Sequence, residues 1–397
     1  MNVRTAVVLA AGEGTRLRPL TRNRPKPMLP AANRPILEHV LDALVEAGIE
    51  QLVLVVGYRR DRVQEHFGPS YRDVPIEYVI QEKQLGSGHA LLQARRAVDG
   101  AHVVVNGDRV IEAGSVRDVV DAFEGDDAPA ALAVIERPSV RHYGAVVLRD
   151  RDIAEIIEKP DTDAYRLINA GIYAFGPSIF EAIDATERAE GELGLTDTIA
   201  DLIEESRVRG VRTEGMWVDA TYPWDLLEVC AEVLARGRVT QPEAAEQVWV
   251  DEAATVHEAA TLRPPVVVGP DAEIGPGAVV GPTVAVGRNG TVGANSTIER
   301  SVIDSDARVG PGSTLVDAVL GQDVHLGPVT VVPGGPADVR VGTAVYEDQR
   351  LGAVVADRTR SGGCVDLAPG TLVGPNAEIH AGAHVTGRVA EGAEVVR

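Results

Sequence analysis

The sequence predicts an α/β chain in two parts: a Rossmann-like, mostly parallel sheet, then a left-handed parallel β-helix. Two patterns lead there. Over roughly the first 230 residues, short apolar runs alternate with helical patterns, as in parallel strands joined by crossover helices that cover both sheet faces. Past residue 250 the pattern changes. Val268, Ile274, Val280, Val286 and Val292 recur every six residues, each followed by Gly, and Ile298 continues the phase. That hexad is the mark of a triangular β-helix coil, one face per hexad with the aliphatic pointing inward. A length of 397 residues also exceeds one ordinary core and favours two domains.

Thr5–Ala11 (TAVVLAA) reads as a first buried strand. Ile36–Ala47 carries apolar residues at helical spacing and stops at Gly48. Gln51–Val56 and Ile76–Ile80 are further strands. Leu91–Val98 reads as a helix, and Val103–Val105 as a strand ending in Asn106-Gly107-Asp108. In such sheets ligands sit at the carboxyl ends of the strands. Residues 224–237 read as a helix stopped by Gly237. The expected boundaries are therefore 1–230 for the first domain, 231–250 for the connector helix and linker, and 251–397 for the β-helix. The hexad breaks near 299–308. It resumes at Val309, Leu315, Leu320 and Leu326, fades into loops between 331 and 366, and returns at Val373, Ile379 and Val385. Flat solenoid faces are commonly covered by self-association, so a homotrimer or higher homo-oligomer is expected.

Composition narrows the function classes. Apolar residues make up 45% and aromatics 4%, so the core is built from Val, Ala, Leu and Ile. No apolar run is long enough to span a membrane. The apolar N-terminus runs into a Gly-rich loop and reads as a strand rather than a signal peptide. Cys230 and Cys364 lie far apart without metal-ligand spacing, which fits a reducing cytoplasm. A net charge of −21 disfavours a nucleic-acid partner. Lysine occurs only at 26, 83 and 159. A salt-rich cytoplasm and a GC-rich genome both explain so acidic and Arg-biased a chain. Either way, a lysine that survives this bias, such as Lys26, carries weight.

The sharpest motif runs from Leu9 to Thr21, LAAGEGTRLRPLT, followed by Pro25-Lys26-Pro27. A strand feeding a Gly-rich loop presents backbone N–H groups to phosphate oxygens. Arg16 and Lys26 add positive charge where a triphosphate is negative. A dinucleotide loop fails on spacing, because Leu17 stands where the third Gly belongs, and no Gly-Lys-Ser/Thr follows to make a P-loop.

This stretch resembles the signature of the sugar-1-phosphate nucleotidyltransferase family, LAxGxGTRLxPLT followed by PKP. The resemblance implies nucleotide contacts from Leu9, Ala11, Gly12, Gly14 and Thr15, and catalytic roles for Arg16 and Lys26. Gln81-Glu-Lys-Gln-Leu-Gly86-Ser87-Gly-His89-Ala resembles the pyrimidine-base loop of bacterial UDP-N-acetylglucosamine pyrophosphorylases, which implies base contacts from Gln81, Gly86 and Ser87. His89 itself reads as a helix-start or packing residue. Asn106-Gly-Asp108 and Trp217-Val-Asp219 match the family's two metal positions, and two carboxylates suit Mg2+. Tyr143-Gly144, Glu158-Lys159-Pro160 and Asn169-Ala170-Gly171 match the sugar-binding set, implying Gly144, Glu158, Lys159 and Asn169. Together with the β-helix, the whole length resembles the archaeal form of the bifunctional N-acetylglucosamine-1-phosphate uridylyltransferase/glucosamine-1-phosphate acetyltransferase.

The implied reaction is in-line displacement: a sugar-phosphate oxygen attacks the α-phosphorus of a nucleoside triphosphate, and pyrophosphate leaves. The expected pair is UTP with N-acetylglucosamine 1-phosphate. The alternatives are UTP or dTTP with glucose 1-phosphate, and a non-catalytic nucleotide-sugar-sensing homologue. Three departures from the family pattern stand out. Arg109 follows Asp108, Trp217-Val-Asp219-Ala220-Thr221 loses the Gly of the family's Trp-x-Asp-x-Gly-Thr, and Val331–Val341 lacks the His of an Asn-Leu-Arg-His-Asp stretch. Acetyl transfer from acetyl-CoA needs a base near the amine, for which His325, His380 and His384 are the candidates. The structural reading of the β-helix, as a trimerisation and bracing module, is favoured over it.

Overall fold

A computed structural model describes residues 3–162, 164–189 and 191–396. The chain forms two compact units: Met1–Glu13 with Leu37–Trp217, and Gly14–Ile36 with Val218–Arg397. This division by packing cuts the chain differently from one at residue 230. It assigns the second half of the Gly-rich signature, and everything through Ile36, to the unit that contains the β-helix.

The first unit is built on one sheet. Its first strand, β1 (Thr5–Ala10), is buried on both faces along Ala6-Val7-Val8. That explains why it reads as a continuous apolar run. It pairs in parallel with β2 (Gln51–Val56) on one side and β4 (His102–Asn106) on the other; β3 (Val74–Ile80) continues beyond β2. These are the strands expected from the sequence, and they are the parallel part. Past β4 the sheet turns antiparallel around a nine-residue buried strand, β8 (Leu167–Phe175), which pairs with β4 and with β5 (Ala130–Glu136). Strands β6 (Gly144–Arg149) and β7 (Asp152–Glu158) form a hairpin whose turn residue Asp150 has φ +59°, and hairpin connection dictates antiparallel pairing. A last strand, β9 (Val208–Arg212), returns parallel to β5.

Helices supply the cover. In α1 (Ile36–Glu46) the residues Leu37, Val40, Leu41 and Leu44 share one face and are fully buried, as the 3.6-residue period requires, and α2 (Arg60–Phe67) buries Val63 and Phe67. The helix read at Leu91–Val98 instead begins earlier. Helix α3 spans Ser87–Gln93 and is followed by a 3-10 turn at Ala94–Arg96. Its start was masked in the sequence by Gly86 and Gly88. Gly86 has φ +98°, and an added Cβ would lie 2.4 Å from the Leu193 carbonyl oxygen, so the entry into α3 demands glycine.

The second unit is the β-helix with the segment Gly14–Ile36 and the helix Asp225–Ala235, here α4. Among the described residues, sheets of nine, eight and seven strands stack along it, parallel except where Glu243–Ala245 pairs antiparallel with Val248–Val250, and the coil is a left-handed β-helix. Every inward aliphatic predicted from the hexad, from Val268 through Val385, belongs to its buried core. The break near 299–308 has a geometric meaning. Val266 pairs with Val284 eighteen residues on, but Val284 pairs with Ser301 and Val302 with Val319, each seventeen on. Two successive coils therefore drop one residue at a corner and keep their inward positions. The loops expected between 331 and 366 contain more order than that. A hairpin of β10 (Pro336–Val341) and β11 (Ala344–Arg350) interrupts the solenoid. The coil resumes at Ala353–Val355, which pairs with Ala318–Leu320.

Candidate active site

In the first unit, β1 delivers Leu9, Ala11 and Gly12 to the carboxyl edge of the sheet. Ala11 is buried, and its carbonyl oxygen accepts from the Gln84 side chain at 3.1 Å. Gly12 faces open space, with nothing within 4 Å of where a Cβ would stand.

The base-loop residues come together around a buried amide. Gln81 is 4% exposed. Its Nε2 donates to the Gly86 carbonyl at 3.2 Å and meets His89 Nδ1 at 2.9 Å. Burial, then the nearby Arg188 charge, hold the His89 imidazolium below its usual pKa range. The neutral ring accepts from the amide, so both hydrogen bonds engage Gln81 Nε2. His89 is thus more than a helix-start residue: it sets the orientation of Gln81. The signal lay in the eight-residue gap across a turn, which periodicity does not reveal. Ser87 Oγ accepts from the Leu195 backbone N–H at 3.0 Å, at the start of the helix Leu195–Glu205.

Asp108 follows β4 after Gly107, whose N–H donates to the Leu9 carbonyl at 2.9 Å. The charge of Arg109 is held over aromatic faces, 5.1 Å from the Trp217 centroid and 5.7 Å from that of Tyr143. Its Nε is 4.0 Å from Asp108 Oδ1. The sugar-set residues meet by register. Gly144 pairs with Glu158 across β6 and β7, and Lys159, with φ +46°, donates its N–H to the Tyr143 carbonyl and reaches Glu158 at 3.3 Å. Asn169 lies beside a register shift in β8. It is buried, donates to the Tyr173 hydroxyl at 2.8 Å and accepts from Gly171 N–H at 2.9 Å. Burial above all pushes the Tyr173 phenol up to about 12. The Trp217 indole donates to the Ala170 carbonyl at 2.7 Å.

In the second unit the signature closes on itself. Gly14 has φ +67°, and a Cβ there would lie 2.8 Å from Lys26 Cβ; its carbonyl accepts from the Thr21 hydroxyl at 2.8 Å. Thr15 and Arg16 follow in a short 3-10 turn. Lys26 Nζ lies 2.6 Å from Asp219 Oδ1, with both side chains nearly buried. Asp219 Oδ2 also accepts from the Thr221 hydroxyl at 3.1 Å. Arg16 lies 5.8 Å from the centroid of the Tyr222 ring. The turn that lacks the family's Gly is secured otherwise: Thr221 and Tyr222 N–H groups both donate to Asp225 at the head of α4, at 2.8 and 2.7 Å. Burial pushes the Asp225 carboxyl up to about 6. Tyr222 and Asp225 lay beyond sequence reasoning, because neither belongs to a spaced motif.

Among the described residues no three His, Cys, Asp or Glu side chains group as a metal site. A hard ion that keeps most of its water and shares phosphate oxygens needs only one or two carboxylates, so Asp108 and Asp219 fit Mg2+ by donor chemistry. The three β-helix histidines proposed as bases carry carboxylate partners. His325 lies 3.3 Å from Asp323, His380 2.7 Å from Glu394 and His384 2.7 Å from Asp366, and the three are partly or largely exposed. Among the described residues no helix is long and apolar enough to cross a membrane.

Comparison with known proteins adds the following. Residues 5–236 match the model of the Nucleotidyl transferase family. Residues 244–332 and 262–389 match that of the GMPPB C-terminal domain. The chain is 39% identical over 227 residues to the bifunctional protein GlmU of Methanococcus maripaludis, covering 56% of this chain and 52% of that protein. It is 40% identical over 225 residues to the UTP–glucose-1-phosphate uridylyltransferase AglF of Haloferax volcanii, covering 55% of this chain and 92% of that one. A solved UDP-glucose pyrophosphorylase from Acinetobacter baumanii superposes with a TM-score of 0.52 at 26% identity, over 59% of this chain and 94% of its own. The match thus spans about half the length of the GlmU relative.

Proposed function

We propose that this chain, which belongs to the Nucleotidyl transferase family, joins a nucleoside triphosphate to a sugar 1-phosphate and releases pyrophosphate. The observation that carries this reading is the closure of the signature, where residues distant in sequence converge: Gly14 against Lys26, and Lys26 against Asp219. A phosphate monoester is already a nucleophile. Its oxygen forms the new bond to the α-phosphorus, the bond from that phosphorus to the bridging oxygen breaks, and pyrophosphate carries away the electron pair. No covalent enzyme intermediate is needed. The protein's part is positioning and charge neutralisation.

In this reading, Leu9, Ala11, Gly12, Gly14 and Thr15 hold the nucleotide with their backbone. Arg16 and Lys26 neutralise the triphosphate, and Asp219 holds the Lys26 ammonium in place. Mg2+, held by Asp108 and Asp219, supplies further neutralisation of phosphate charge when bound. Gly144, Glu158, Lys159 and Asn169 hold the sugar phosphate. Gln81, Gly86 and Ser87 read the base. With its amide N–H groups engaged, Gln81 offers Oε1, which accepts from the N3–H of uracil or thymine; cytosine has no such proton. This favours UTP or dTTP.

For the sugar, N-acetylglucosamine 1-phosphate is the first reading, supported by the GlmU similarity. Glucose 1-phosphate is the second, supported by the AglF similarity over most of that protein's length. We assign the β-helix a structural role in a cytoplasmic homotrimer. Acetyl transfer from acetyl-CoA draws support only from exposed histidine–carboxylate pairs. The test is pyrophosphate release with Mg2+, crossing UTP, dTTP and GTP with the 1-phosphates of N-acetylglucosamine, glucose, glucosamine and mannose. UTP with N-acetylglucosamine 1-phosphate is expected to lead. Release from no pair would overturn the proposal.

A further inference from the structure

We infer that the β-helix is the mount of the phosphate-binding loop, with Asp304, Asp357 and Tyr346 acting as positioning residues for Lys26 and Arg16. The inference rests on the functional reading above for the roles of Lys26 and Arg16. The attachment itself is independent of that reading.

One anchor is electrostatic. Arg24 lies two residues before Lys26, and its side chain is 3% exposed. Nη1 meets Asp304 at 2.5 Å and Nη2 meets Asp357 at 3.1 Å. Desolvation opposes a charge so buried, yet the two carboxylates outweigh it and hold the guanidinium above its usual pKa. Nη1 also reaches the Met28 carbonyl at 3.5 Å, so Arg24 touches the chain beyond Lys26 and brackets the 3-10 turn Lys26–Met28.

The notch that receives Arg24 is written into the repeat. Val268, Val286, Ile303, Leu320 and Val373 stack in one sheet. Each of these is followed by Gly except Ile303, which is followed by Asp304; Val355, between Leu320 and Val373, is followed by Ala356, and Val250, beside Val268, by Asp251. The next corner, Gly321, has no room for a side chain: a Cβ would lie 2.4 Å from Asp357 Oδ1. An acidic residue at a corner where the adjacent coils carry Gly287 and Gly321, the latter clearing space for a second acid, is a built socket for one cation.

The other anchor is aromatic. Tyr346 sits on β11 of the hairpin that interrupts the solenoid. Its hydroxyl is 2.8 Å from that of Tyr222, with ring centroids 4.6 Å apart. Trp224 packs on both, at 4.9 Å from Tyr222 and 5.4 Å from Tyr346. Tyr222 in turn lies under Arg16. The hairpin, extra to the coil, thus reaches the residue against which Arg16 rests.

Amide hydrogen exchange and steady-state kinetics on the full chain test this. Asp304→Asn keeps the shape of the socket and removes one charge. Tyr346→Phe removes one hydroxyl from a half-exposed residue and leaves folding unthreatened. Each is expected to speed exchange of the Gly14–Met28 amides at least ~10-fold, with Thr5–Ala10 unchanged. Each should lower kcat about 5- to 10-fold, with the sugar-phosphate KM within about 2-fold. Loop exchange at the wild-type rate in both variants overturns the proposal. So does faster exchange with wild-type kcat. If the wild-type chain releases no pyrophosphate from any pair, the functional reading falls, while exchange still decides whether the loop is mounted on the β-helix.

Discussion

Lys26 is one of three lysines in a chain whose other basic residues are arginines, and its ammonium is held by a nearly buried carboxylate. Lys26→Ala is expected to lower kcat at least ~100-fold, about 2.7 kcal/mol of transition-state stabilisation, with an unchanged circular dichroism spectrum. Near-normal turnover would remove Lys26 from the mechanism. His89 makes a different prediction. Its leucine variant should raise the UTP KM about 10-fold and leave kcat within about 3-fold, because the ring orients Gln81 and does no chemistry. His89 is held below its ordinary pKa. Its contribution is therefore complete above pH ~6.5 and lost as the pH falls through the lowered value. Asp225 has the opposite sign. Its carboxyl is raised from 3.8 to about 6, so the stability linked to its proton is full below 3.8 and gone above about 6. Relative to Asp225→Asn, the wild type should lose about 3 kcal/mol at most between those limits, at ~1.4 kcal/mol per pH unit. Urea unfolding of both proteins at pH 4 and pH 7 measures it. Lys26, Asp219 and Gln81 were legible in the sequence because they belong to spaced motifs. His89, Tyr222 and Asp225 were not, because each acts through one partner across a turn.

Elements were legible where periodicity is strict. Every inward position the hexad named is buried in the β-helix core, and even its break marked a true shortening of two coils; Ile303, Val332, Val355 and Leu367 are core positions it did not name. Truncating one such position, Leu315→Ala, should cost about 2–5 kcal/mol, measured by thermal or urea unfolding; a far smaller loss would mean the coil collapses around the gap. The hairpin Pro336–Arg350 was hidden because its residues are mostly exposed, and an exposed hairpin has no apolar face to set a period. The antiparallel turn of the sheet around β8 was hidden for another reason. A fully buried strand reads alike in either direction, and only pairing over long separations decides which way it runs.

The whole molecule carries a net charge of −21, and self-repulsion of that size weakens as salt screens it. The unfolding midpoint is expected to rise between ~0.1 M and multimolar KCl. An unchanged midpoint would leave codon bias as the account of the arginine excess. Sedimentation of the full chain tests the trimer, for which a single species near three times 42.0 kDa is expected. The signature from Leu9 to Thr21 is continuous in sequence, while the division by packing falls inside it, after Glu13. A contact inside the second unit bears on how the protein is made. Arg24 closes onto Asp304 and Asp357, 280 and 333 positions later. During synthesis, its loop emerges from the ribosome long before either acid exists. A nascent chain that has finished its first sheet still lacks both carboxylates that hold Arg24, two residues before Lys26.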